Sequence, residues 1–482
     1  MLLNQLKKNK MKAKTILFGS ISLIICTVAG YYLPYKLMKW QIEKQAIDYF
    51  EKNDVNLPFQ TYTSFGYENI IANAAPWTKK FMDEDMVSNI EMTVRKKYAY
   101  IFDAAINSPE SENDIANYLK VTGLLNEMLL SVEQAQFKLE KISISQNLIV
   151  PKDDFTKTFM NATPTLPVRL PAEFEPIQSV FVSFPIYYQG QWKTHTELIN
   201  SISSEAEAIV LVPNKYWQKA VMLYFEQKDI SLANVRFAYV KTDDVWTRDY
   251  GPTTVINSNG EKIFIWNNYY EEYNSYHKLS ADAASDLGRY LDIPVYRVPL
   301  VVEGGNIITD GEGTFIMFNS VLVNNPDYNL SKLKKVMKDY YGCKNLILLP
   351  LLKDELTGHV DMVVKFVDKN TLMVIESDIS YKWYQDFENI AKELSETKTL
   401  DGKKYKILRL RMPKTDDESV NFWSYINSLT LNGSVIVPVF GVSEDIAALD
   451  AYRKAMPNYK IIGINFSNYP VGSVHCQTKE MY

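Results

Sequence analysis

Hydrophobic positions follow three patterns along the chain. Thr15–Tyr35, TILFGSISLIICTVAGYYLPY, runs 21 residues without a charge, about the length needed to cross a bilayer. From about Lys36 to Thr163 the apolar residues recur at helical spacing. In SENDIANYLKVTGLLNEMLLSVEQAQFKLEKI, for example, Ile115, Leu119, Leu124, Leu125 and Leu129 lie near a 3.6-residue period. Ser111 followed by Asp114 offers a cap for its start. The proline-rich stretch TPTLPVRLPAEFEP (163–176) then marks a boundary.

Beyond it, short β-rich runs alternate with helical stretches. The runs are SVFVSF, EAIVLV, VRFAYV, KIFIW, PVYRVPLVV, TFIMF, NLILLP, MVVKFV, TLMVI, YKILRL, SVIVPV and KIIGINF. SADAASDLGRYL and EDIAALDAYRKAM fit as helices between them. Strands alternating with helices predict an α/β domain over residues 164–482, preceded by a helical region over 36–163. Alternation alone does not separate an open sheet from a propeller of repeated αβ units.

Composition removes several classes. A net charge of −5 and a pI near 5.7 give no footprint for nucleic acid. Three cysteines, Cys26, Cys343 and Cys476, with no CxxC or clustered His spacing, make neither a disulfide framework nor a structural zinc site. The first 14 residues carry five lysines and no acid, and Lys36, Lys39 and Lys44 follow the apolar run. These flanks predict a signal-anchor with a cytoplasmic N-terminus and an exported body. A cleaved signal peptide ending at Thr27-Val28-Ala29, and hence a secreted product, is the alternative.

Four segments of the α/β region concentrate polar groups at strand ends. In TDDVWTRDYGP, the turn at Tyr250-Gly251-Pro252 leaves Arg248 and Asp249 where a strand stops, close behind Trp246. In VVEGGNIITDGEGT, an apolar run delivers Glu303, and Gly304-Gly305 permits close backbone approach. In LTGHVDMVVKFVD, a strand beginning at His359 would project His359 and Asp361 from one face. In VGSVHCQTKE, the same alternation would turn His475 away from Cys476, so the base for that thiol is sought elsewhere, with His359 the candidate.

PAEFEP, DDVWTRDYGP, EGGNIITDGEGT, GHVD, NSLTLNGSVIVPVFG and SVHCQTKE occur in an order that resembles the agmatine deiminase and bacterial peptidyl-arginine deiminase family, over Leu166 to Tyr482. The resemblance implies a five-bladed αβ propeller (pentein) with its site on the central axis. It also implies Cys476 as nucleophile, Asp249 and Asp361 as clamps on a guanidinium, and His359 as general acid and base. Glu303 would orient His359, and Asn427, Trp246 and Arg248 would line the substrate site. The chemistry fits these residue types. A guanidinium is a stable cation and a poor electrophile, so carboxylates must hold its carbon for attack by a thiolate. No organic cofactor or catalytic metal is needed.

The function implied is hydrolysis of agmatine or (peptidyl-)arginine to a ureido product and ammonia, with a small guanidine or a peptide arginine as partner. Amidino transfer on the same fold, or a membrane-tethered binding module without activity, are the alternatives. Peptidyl-arginine deiminases of this type use an Arg-x-Arg pair shortly after RDYGP to grip a C-terminal carboxylate. The corresponding IFIWNNYYEEYNSYHK has no arginine and offers Glu271 and Glu272 instead. The expectation is a guanidine whose far end is cationic or neutral, agmatine first and internal peptidyl arginine second.

Overall fold

The computed structural model describes residues 109–268, 278–355, 357–414, 422–468 and 472–482, with Lys44 and Ala105 as single helical positions. Contacts divide the chain into two compact units, Met1–Gln136 with Tyr187–Gln189, and Phe137–Ile186 with Gly190–Tyr482. All the sheets lie in the second of these units.

In the first unit, α1 (Glu112–Val121) and α2 (Leu124–Met128) replace the single helix that the apolar period suggests. The Asp114 carboxylate accepts the Ser111 backbone N–H at 3.0 Å, so the cap forms as the sequence predicts. Gly123 (φ 79°) and Leu129 (φ 56°) take left-handed conformations that interrupt the helix. Ile115, Leu119 and Leu124 are fully buried, whereas Leu129 is 90% exposed and does not belong to that apolar face. α3 (Val132–Lys141) follows.

Among the described residues, the second unit is mixed α/β and holds five sheets. β1 (Thr158–Phe159) and β2 (Val168–Arg169) are two-residue edge strands. β3 (Ser179–Ser183), α4 (Trp192–Ser203), β4 (Glu207–Val212), α5 (Lys215–Gln227) and β5 (Val235–Tyr239) follow, the three strands pairing in parallel. One module then recurs: a strand, its antiparallel partner, a helix, and a strand returning parallel. It appears first as β6 (Thr253–Asn257), β7 (Lys262–Asn268), α6 (Ala283–Leu291) and β8 (Val295–Val301). Next come β9 (Ile308–Thr309), β10 (Thr314–Phe318), α7 (Leu330–Tyr341) and β11 (Asn345–Leu349). The third copy is β12 (Val364–Asp368), β13 (Thr371–Glu376), α8 (Tyr384–Glu396) and β14 (Lys406–Arg411). The fourth is β15 (Leu429–Leu431), β16 (Ser434–Val439), α9 (Glu444–Ala455) and β17 (Lys460–Asn465). The C-terminal β18 (Lys479–Met481) pairs antiparallel with β3 and supplies the first sheet with the strand it lacks. The end of the chain is thereby tied to the start of the sheet unit.

The physical logic of the module is simple. A parallel pair needs a crossover, and a helix supplies it while covering one sheet face. Strands buried on both faces read as continuous apolar runs, as SVFVS of β3 and TFIMF of β10 do, every residue being buried. Each of the twelve runs predicted from the sequence contains a strand. The core lies between successive sheets. Phe181, Ile209, Tyr250, Phe264 and Leu287 form one cluster, and Val255, Ile265, Phe315, Leu333 and Tyr341 another. Burying each such side chain is worth roughly 1.5–3 kcal/mol. The Tyr341 hydroxyl donates to Asn267 Oδ1 at 2.8 Å, which satisfies a polar atom inside that layer.

Among the described residues no helix is long and apolar enough to cross a membrane. The predicted span Thr15–Tyr35 lies outside the described residues, as do Glu271 and Glu272.

Candidate active site

The segments just ahead of β6, β9, β12, β15 and β18, one strand from each sheet, carry polar groups that meet. Ahead of β6, the helical turn Thr247–Tyr250 bears Arg248 and Asp249. It ends at Gly251, whose extended conformation (ψ 153°) is the one a following proline imposes. Ahead of β9, Glu303 precedes a 3₁₀ turn at Gly304–Asn306. Ahead of β12, His359 precedes a 3₁₀ turn at Val360–Met362 that holds Asp361. Asn427 stands two residues before β15, and Cys476 three before β18. Asp249, Glu303, His359, Asp361 and Cys476 are 3–5% exposed, Arg248 is 2% exposed and Asn427 is fully buried.

The two glycines of VVEGGN are required by close approach. A Cβ on Gly304 would lie 2.0 Å from the Arg248 carbonyl oxygen, and one on Gly305 would lie 2.6 Å from His359 Nδ1. Without those side chains, the Gly305 N–H reaches Asp249 Oδ1 at 3.0 Å. His359 Nε2 sits 2.6 Å from Glu303 Oε2, and its Nδ1 is 3.7 Å from Asp249 Oδ1. Three ligand-type atoms of Asp249, Glu303 and His359 thus fall within 4.8 Å of one another. The shortest of these separations is a hydrogen bond between carboxylate and imidazole, which fixes the ring tautomer and orientation.

Cys476 is held from one side by Asn427. The Asn427 amide donates to Sγ at 3.1 Å, and its Oδ1 accepts the Cys476 backbone N–H at 3.2 Å. On another side Asp361 Oδ2 lies 3.8 Å from Sγ. Burial and the charges of Asp361 and Asp249 push the thiol up to about 12, with His359 pulling the other way. Cys476 is therefore held as a thiol at neutral pH by these surroundings. Asp249 is raised by burial and by Asp361, against the opposing pull of His359. Burial would raise Asp361 too, but the hydrogen bond and charge of His475 carry it below its ordinary value. Asp361 Oδ1 is buried without a hydrogen-bond partner. A carboxylate oxygen in that condition is a place for a donor to arrive.

Two expectations from strand periodicity are corrected here. His359 and Asp361 do not share a strand, because Val360–Met362 coils into a 3₁₀ turn before β12 begins. His475 and Cys476 lie on a turn, residues 474–477, so two-residue alternation does not govern them. His475 is not turned away from the site. Its Nδ1 is 2.6 Å from the same Asp361 Oδ2 that faces Cys476.

Arg248, read from sequence as substrate-lining, is committed elsewhere. Its guanidinium pairs with Glu480 at 2.6 Å and its Nε donates to the His475 carbonyl at 3.1 Å, while its backbone N–H donates to the Cys476 carbonyl at 3.0 Å. Arg248 therefore fixes the Cys476 turn. Trp246 is half-buried, its backbone N–H bonded to Asp244 Oδ1 at 2.9 Å. A side chain on Gly472 would strike its ring, at 2.4 Å. A cavity adjoins these groups, lined in part by Arg248, Asp361, Lys365, His475, Lys479 and Glu480. Sequence reasoning assigned no role to Glu173, Lys365 or Lys479. Lys365 binds Glu173 at 2.7 Å, and burial together with the Arg248 charge pushes Lys479 down to about 7.

The family model of the Porphyromonas-type peptidyl-arginine deiminases matches residues 169–481, a stretch that includes every group described above. The chain belongs to this family. Among deiminase relatives, one from Vibrio parahaemolyticus, described as "Putative agmatine deiminase", is 28% identical over 356 residues, spanning 64% of this chain and 96% of the relative. The solved agmatine deiminase of Enterococcus faecalis superposes with a TM-score of 0.59 at 23% identity, covering 65% of this chain and 95% of that one. The Campylobacter jejuni (C. jejuni) agmatine deiminase gives 0.57 at 24%, covering 66% and 96%. These structures share the mixed α/β deiminase fold, and the relatives end to end correspond to the sheet unit.

Proposed function

We propose that the protein is a deiminase that hydrolyses a guanidinium group to a ureido group and ammonia. The observation that carries this reading is the buried Asp361 carboxylate, whose Oδ2 lies 3.8 Å from Cys476 Sγ and whose Oδ1 has no partner, with Asp249 close by. A cation bearing several N–H donors suits that site, and a neutral ligand leaves the carboxylates uncompensated. Its arrival brings positive charge between two carboxylates and lowers the cost of ionising the thiol. Sγ then attacks the guanidinium carbon while the thiol proton passes to His359, held by Glu303. His359 returns that proton to the departing nitrogen, and ammonia leaves. A water deprotonated by His359 adds to the amidino-thioether, the C–S bond breaks, and the ureido product and free Cys476 remain. Asn427 holds Sγ in line.

In this reading the five sheets form a closed five-bladed αβ propeller, supported by the fourfold repeat of the module and by the β18–β3 pairing. The domains are a Lys-rich start (1–14), a membrane segment (15–35), a helical region (36–163) and the deiminase domain (164–482). The charge flanks of Thr15–Tyr35 support a catalytic domain outside the cytoplasm, membrane-anchored or, after signal cleavage, secreted. Protease added to intact cells should then degrade it, and full protection of the domain would reverse that orientation.

The substrate expected is agmatine, then internal peptidyl arginine, since the segment after RDYGP lacks arginines to hold a carboxylate. The test is ammonia and ureido-product formation from agmatine, free arginine and a peptide with C-terminal arginine. Wild type should favour agmatine in kcat/KM, and Cys476→Ala should be inactive while remaining folded. Undiminished turnover by Cys476→Ala would refute the mechanism, and preference for the C-terminal-arginine peptide would refute the substrate assignment.

A further inference from the structure

We propose that His475 is a positioning residue that locks the Asp361 carboxylate, so that a single oxygen, Oδ1, receives the substrate. The inference rests on the deiminase reading above. His475 Nδ1 lies 2.6 Å from Asp361 Oδ2, which is also the oxygen 3.8 Å from Cys476 Sγ, while Oδ1 has no partner. With Nδ1 protonated, the imidazole occupies Oδ2 and stops the carboxylate from turning about its terminal torsion, which is otherwise soft.

The imidazole is itself fixed at both ends. The His475 backbone N–H donates to the carbonyl of Asn427, the residue that also grips Cys476, at 3.2 Å. Its Nε2 is 3.5 Å from Glu173 Oε2. Glu173 in turn accepts from Lys365 Nζ at 2.7 and 2.8 Å and from the Thr430 N–H at 2.5 Å. Burial would raise Glu173, but Lys365 and His475 outweigh it and hold the acid at about 2. A chain of contacts thus runs from Lys365 through Glu173 and His475 to Asp361, ending at the oxygen nearest the nucleophile.

Two consequences separate positioning from packing. Without the Nδ1–H donor, Asp361 can present both oxygens to a guanidinium. Ground-state binding is kept or tightened, but the carbon shifts relative to Sγ. The loss then falls on kcat and not on KM. The hydrogen bond also favours ionised Asp361, so its removal lets the acid protonate at higher pH and moves the acid limb of kcat/KM upward. The charged groups acting on His475 are Asp361, Glu173 and Glu480, and those acting on Asp361 include Arg248, His359 and Asp249, all retained in the variants.

The test compares full-length wild type, His475→Ala and His475→Asn with agmatine and with arginine, measuring kcat, KM, pH profile and thermal melting. His475→Ala should lose about 100-fold in kcat with KM equal or lower and the acid limb raised. Asn can place an amide N–H near the position of Nδ1, so His475→Asn should recover most of kcat and return the acid limb. An alanine variant with wild-type kcat and acid limb overturns the inference. So does equal loss in both variants accompanied by a lowered melting temperature, which is the signature of packing alone. A wild type that turns over neither substrate refutes the deiminase reading itself, an outcome distinct from either of these.

Discussion

Arg248 and Asp249 are neighbours in sequence and both are buried, yet they stand in opposite electrostatic conditions. Arg248 has a two-point partner in Glu480 and is pushed further above its ordinary range by that pairing, against the cost of burial. Asp249 is pushed up, toward its neutral form, by burial and by Asp361. The division repeats around the site. Lys365 is closed by Glu173 while Asp361, four residues before it, keeps an unpartnered oxygen. Glu480 is closed by Arg248, while Cys476, four residues before it, is held as a thiol by its surroundings. One set of buried charges is ion-paired within the protein and holds the lead-in turns together. The other is incomplete, and its deficit is what a cationic substrate relieves. Stability and reactivity are thus drawn from adjacent residues on the same short turns.

The sharpest way to separate the two sets is Asp361→Asn. It removes the charge that draws the guanidinium while keeping the shape, so kcat/KM for agmatine should fall by at least about 10³. Melting temperature should stay within a few degrees, because no substrate-independent pair is broken beyond the His475 hydrogen bond. A large drop in melting temperature would place Asp361 with the structural charges instead.

Arg248→Met makes the reverse trade. It leaves Glu480 buried without its partner, a change that typically costs about 3–5 kcal/mol. The protein should melt markedly lower in thermal denaturation, with activity surviving at temperatures where it stays folded. Intact stability with lost substrate affinity would instead restore the substrate-lining role that the sequence suggested for Arg248.

How much of this was legible beforehand depends on the range of the signal. The strands could be read because runs such as SVFVS and TFIMF are buried on both faces and leave no ambiguity of period. The candidates Cys476, His359, Asp249, Asp361 and Glu303 could be named because each stands in a short motif, and the structure brings them together. What failed was local geometry. Strand alternation does not hold across the 3₁₀ and other turns at 359–362 and 474–477, which is why His475 faces the site. Pairs such as Lys365–Glu173, 192 residues apart, leave no mark in a single sequence. The one hint in the sequence is PAEFEP, a motif that carries Glu173 without showing its partner. The split of α1 from α2 was signalled by Gly123, which sits where the helical period should have been stopped.

The smallest effect concerns the thiol, and it tests whether the incomplete set truly waits for its cation. Alkylation by iodoacetamide requires the thiolate. With Cys476 at about 12, the protonated form dominates throughout the range where the protein is handled. In ligand-free enzyme the alkylation rate at Cys476, resolved by mass spectrometry from the buried Cys343, should rise about tenfold per pH unit from pH 6.5 to 9.5, without a plateau. The sign extends to stability. A thiol that ionises later in the folded state than in the unfolded chain binds more protons when folded, so its contribution is intact below the ordinary cysteine range and is lost as pH rises toward 12. A plateau in the alkylation rate below pH 8 would mean that the thiolate is already formed before substrate binds. His359 would then outweigh Asp361 and Asp249, and the substrate cation would not be the trigger for ionisation.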